Sequence, residues 1–102
     1  MINRDSARHA VQELLNDVIE QGFHHLLRHP QQGDGLNQII KEATDDLNHQ
    51  LIKMDTGVPE SDPSAQAKHY REVISETELK SLQLLSRLQK IQQLDNPRLK
   101  RV

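Results

Sequence analysis

Along the first third of the chain, Ala7, Val11, Leu14, Leu15, Val18, Ile19, Gly22 and Leu26 recur at steps of three and four. That spacing lines one face of an α-helix. Glu13, Asp17 and Glu20 fall well away from the stripe. Asp5 or Ser6, both good N-caps, is expected to start the helix. Pro30 closes it, because a proline disfavours the α conformation at the residue before it, His29. Gln31-Gln32-Gly33-Asp34-Gly35 then reads as a loop, two glycines flanking an aspartate being turn chemistry.

A second stripe follows: Leu36, Ile39, Ile40, Ala43, Leu47, Leu51 and Met54, with Lys41, Glu42, Asp45 and Lys53 opposite. Gly57, Pro59 and Pro63 mark the next break. Asp62 is placed to cap a third helix and Pro63 to occupy its first turn. That helix is expected to run to Leu94, where Asp95-Asn96-Pro97 stops it. Its main stripe is Tyr70, Val73, Ile74, Thr77, Ser81, Leu84, Leu88 and Ile91, nearly a heptad with two hydroxyls in the middle. Leu79 and Leu82 lie off that stripe and Leu85 lies at its edge, so the helix carries a second apolar face.

The pattern predicts an all-α chain of three antiparallel helices, about 6–29, 36–54 and 63–94, in a single domain of residues 1–96 with a short basic tail at 97–102. Helix rise sets the lengths at roughly 35, 28 and 48 Å. If the third helix folds back from Pro63 beside Met54, residue 81 meets Leu36 and everything beyond Leu82 projects past the hairpin. Leu82, Leu84, Leu85, Leu88, Ile91 and Leu94 lie in that projection. An apolar segment of this size marks an interaction surface, for which a homodimer is the default. Packing of the same leucines within one chain is the alternative.

Composition sharpens this picture. Only 34% of the residues are hydrophobic and the aromatics are Phe23 and Tyr70, so a monomeric core is thin and burial against a second chain gains weight. There is no cysteine, which excludes disulfides, thiolate ligands and a cysteine nucleophile. No apolar leader or membrane-length run is visible, and a cytoplasmic protein without a membrane span is expected. The net charge is −2, unevenly spread: residues 30–62 hold two bases against seven acids, residues 63–102 eight bases against four acids. The two parts could attract each other within one fold, or the basic part could face an acidic partner.

Six histidines invite a chemical reading. His25 and His29 are four apart, the helical spacing that lets two imidazoles share a metal, with a third ligand needed from His49, His69 or a carboxylate. They are candidates for a metal or pH-sensitive contact. The structural alternative is that they finish the first helix, where a cation meets the helix C-terminus. His24 points away from the stripe.

Arg87, Lys90, Arg98, Lys100 and Arg101 could contact phosphates, although no aromatic stands among them to stack on bases. No constellation for catalysis appears: Gly33-Asp34-Gly35 reads as a turn, and Asp45 and Asp46 as a solvated face. The expectation is a non-enzymatic protein-interaction module, a small adaptor, chaperone or regulatory subunit without cofactor or metal. It would act through the apolar faces of its C-terminal helix on itself or another protein. A nucleic-acid-associated regulator using the basic end of a dimer is the alternative.

Overall fold

Asn3 begins the first helix, three residues earlier than Ser6. Its side-chain oxygen accepts from the Ser6 amide at 2.8 Å, and the Ser6 hydroxyl accepts from the Asn3 amide at 3.2 Å. This reciprocal capping box satisfies two amides that the helix itself cannot. The computed structural model describes residues 2–58 and 62–94, Leu94 by its backbone alone. In it α1 spans Arg4–Arg28, a 3-10 turn spans Pro30–Gln32, α2 spans Gly33–Asp55 and α3 spans Pro63–Leu94. The fold is all-α, and each helix packs against the other two.

Pro30 ends α1 as expected, and the His29 amide closes its last turn on the His25 carbonyl at 2.9 Å. The expected loop is nearly absent. The chain makes one 3-10 turn and enters α2 directly, so Gly33, Asp34 and Gly35 are the first helical turn. Glycine is tolerated there because amides of a first turn have no intrahelical partner, and the Asp34 carboxylate complements the positive end of the helix. At the far end Gly57 takes φ 71°, the left-handed conformation that lets the chain turn away from α2. Asp62 caps α3, its carboxylate accepting from the Ser64 amide at 3.0 Å, with Pro63 in the first turn.

The core runs along all three helices: Ala7, Val11, Leu15 and Val18 of α1, Leu36, Ile39, Ala43 and Met54 of α2, and Tyr70, Val73, Leu84 and Leu88 of α3. At its middle the α2–α3 contact is polar. Fully buried Gln50 donates from Nε2 to the Thr77 hydroxyl at 3.1 Å and to the Val73 carbonyl at 3.3 Å. Its Oε1 is buried without a hydrogen-bond donor.

The α2–α3 register departs from the expected one. Lys53 pairs with Glu76 at 2.6 Å, Asp46 with Lys80 at 3.7 Å and Glu42 with Arg87 at 2.6 Å. A side chain at Gly35 would meet Ile91 Cδ1 at 3.2 Å. The two helices are therefore antiparallel with Gly35 beside Ile91, so α3 outruns α2 at its N-terminal end, not beyond Leu82. The physical reason is the connection after Asp55. It is long enough to carry the chain past the end of α2 before α3 begins, so Pro63 need not sit beside Met54. Leu84 (4% exposed) and Leu88 (1%) consequently belong to the chain's own core. Among the described residues, no helix is long and apolar enough to cross a membrane.

Candidate functional site

The surface of α3 that remains open is its second apolar face. Leu79 is 63% exposed and Leu82 62%, and they stand one helical turn apart. Leu82 also lines a groove of about 650 Å³ between α1 and α3, together with Leu14, Ile74 and Leu85. The groove lies between α1 and α3, which contribute Ala10, Leu14 and Asp17 on one side and Ile74, Ser81 and Leu85 on the other.

Of the six expected interface positions, then, Leu82 is exposed and Leu85 half-buried in the groove wall. Leu84 and Leu88 are removed from the candidate surface by their burial. Ile91 is half-buried against the core, and the Leu94 side chain lies outside the described residues. Leu14 and Ile74, which complete the groove, read from spacing alone as ordinary stripe residues. Only the placement of α1 against α3 leaves them at an opening. A smaller apolar pair, Phe23 and Leu27, stands exposed near the end of α1; its i, i+4 spacing off the main stripe was the signal that could have found it.

The electrostatics differ between the two sides of α3. On the α2 side, acids face bases: the Arg87 guanidinium, hydrogen-bonded to Glu42, holds that carboxyl below its ordinary value, and Glu42 in turn raises Arg87. The ammonium of Lys53 likewise lowers Glu76. Glu42 and Asp46 of the acidic middle thus face Arg87 and Lys80 of the basic final third, while Lys53 and Glu76 pair in the opposite sense. On the α1 side, Glu13, Asp17 and Glu78 surround the groove and no base lines it. Glu13 accepts from His9 at 2.9 Å and Asp17 from Gln21 at 3.0 Å.

The histidines are built into the end of the bundle. His25 Nε2 and Gln32 Oε1 are 2.9 Å apart, so the hydrogen between them sits on the imidazole. Gln32 Nε2 donates onward to the Ile91 carbonyl at 3.2 Å. The imidazoles of His25 and His29 lie 4.5 Å apart, centre to centre. This chain of contacts ties α1, the 3-10 turn and the last turns of α3 together. It lies beside Ile91. His69 is remote, its ring nitrogen 3.1 Å from the Lys53 carbonyl. Among the described residues, no group of three His, Asp or Glu is placed to hold a metal ion.

Of the basic candidates, Arg87 is engaged with Glu42 and Lys90 is exposed; Arg98, Lys100 and Arg101 lie outside the described residues. No protein-family model matches the chain, and no curated protein or solved structure matches it either, so no relative lends it a function.

Proposed function

We propose that this chain is a non-enzymatic protein-interaction module that pairs with a second copy of itself through the outer face of α3. The observation that carries the reading is the ridge of Leu79 and Leu82, both more than 60% exposed and one turn apart, beside an apolar groove to which Leu82 contributes. Large apolar side chains gathered on one helix face beside a concavity favour helix-on-helix docking. A two-fold dimer is the simplest closed arrangement, since each copy offers the same ridge to the other. The thin core supports it, because a partner chain adds the burial that so few hydrophobic residues cannot supply alone.

Sedimentation velocity over a micromolar concentration range tests the reading. The wild type should sediment as a dimer. Leu79→Glu combined with Leu82→Glu should sediment as a monomer with unchanged helix content by circular dichroism. A wild type that stays monomeric throughout overturns the proposal.

A further inference from the structure

The groove between α1 and α3 has an apolar floor and a rim of one sign. Glu13 and Asp17 of α1 and Glu78 of α3 stand around it, and none of the residues lining it is basic. Along the α2–α3 seam, by contrast, Glu42, Asp46 and Glu76 each face a base. An occupant suited to the groove is therefore a short segment with apolar side chains for the floor and positive charges for the rim.

The chain itself holds such a segment. Arg98-Leu99-Lys100-Arg101-Val102 places three bases and two aliphatic residues within five positions, matching the three carboxylates in number and opposite in sign. We infer that residues 98–102 dock in the groove between α1 and α3 of their own chain. Pro97 cannot continue the helix, which gives the chain a place to reverse.

The lengths agree. At a rise of about 1.5 Å per residue, Leu85 lies roughly 13 Å back from Leu94 and Glu78 roughly 24 Å. Reversed at Pro97, residues 98–102 can span about 17 Å back along α3 when extended. The bases therefore reach the Leu85 end of the groove, with the long side chains of Lys100 and Arg101 extending toward its acidic rim, while Ala10 and Ile74 at the far end stay uncovered. Docking of this kind rests on opposite charges at a partly solvated rim, so salt weakens it. It rests on the groove and not on the ridge of Leu79 and Leu82, and it does not require self-association.

Because the chain has no cysteine, Val102→Cys carries a single nitroxide label. Isotope-labelled, spin-labelled protein is diluted into an excess of unlabelled wild type, so that only effects within one chain are read. The backbone amides of Glu13 to Asp17 and of Glu78 to Leu85 should lose most of their intensity. High salt should restore it, and so should Glu13→Gln, Asp17→Asn and Glu78→Gln combined, a variant that alters only surface charges and whose helix content is checked separately.

Undiminished amides along the groove overturn the inference. So does broadening that the triple variant leaves unchanged, or broadening seen only when isotope and label sit on different molecules, which would place a second copy's tail in the groove. Repeating the measurement on Leu79→Glu, which lies outside the groove, separates the two proposals: sedimentation decides the dimer and the paramagnetic effect decides the tail.

Discussion

Gly22 is the residue at which local preference and packing pull in opposite directions. Within a helix, alanine is favoured over glycine by about 1 kcal/mol, so propensity alone makes Gly22→Ala stabilising. The neighbour decides otherwise. A Cβ at Gly22 would stand 2.8 Å from Cγ1 of Ile40. That atom is close to the Ile40 backbone, not at the free end of a side chain, and Ile40 is itself buried. The helices must separate locally or Ile40 must leave its rotamer, and overpacking of this kind costs roughly 1–3 kcal/mol. Gly22→Ala should therefore lower stability by about 1 kcal/mol once the propensity gain is deducted. Urea unfolding followed by circular dichroism measures it. In the Ile40→Ala background, where the obstructing atom is gone, the same change should become stabilising. A penalty that persists there would mean that the close approach of α1 and α2 is not what glycine serves.

At the level of the helices, boundaries were legible wherever a local interaction sets them. Pro30 acts on His29 and Asp62 on the amides of Ser64 and Ala65, all within a few residues. The start of α1 was misjudged because Asp5 and Ser6 are both good caps by type. The chain uses Asn3, with Ser6 as the third residue of its box. Asn3→Ala should then cost about 1 kcal/mol, whereas Asp5→Ala should cost less, and hydrogen exchange at Ser6 and Ala7 should report the loss as fraying. An equal penalty at Asp5 would argue that the charge near the helix end matters more than the capping box.

The register of α2 on α3 was not legible, because residues far apart in sequence set it. Gln50 lies seven residues after Ala43, on the apolar stripe of α2, yet its polarity kept it out of that stripe. Its bonds to Val73 and Thr77 help fix the alignment. The interface leucines were misassigned for the same reason: spacing separated Leu79 and Leu82 from the main stripe, but only the register decides that Leu84 and Leu88 are covered by the same chain.

For the molecule as a whole, the ion pairs between α2 and α3 make an acid-sensitive seam. Glu42 and Glu76 both have folded-state values below the ordinary 4.5, chiefly through hydrogen bonds from Arg87 and Lys53. A carboxylate lowered on folding binds its proton more readily in the unfolded chain. Its contribution to stability is therefore complete above the ordinary carboxylate value and is lost as pH falls through the lowered one. Both side chains are about two-fifths exposed, so water and salt screen these pairs and the contribution of each is modest. The two pairs close the same seam, so acid weakens the contact of α3 with α2. The melting temperature should hold near neutral pH and fall below about pH 4.5. Glu42→Gln combined with Glu76→Gln should lower it slightly at neutral pH and make its decline in acid shallower. Molar salt should act in the same direction on the wild type. A double variant with an acid limb as steep as that of the wild type would move the acid sensitivity to other carboxylates.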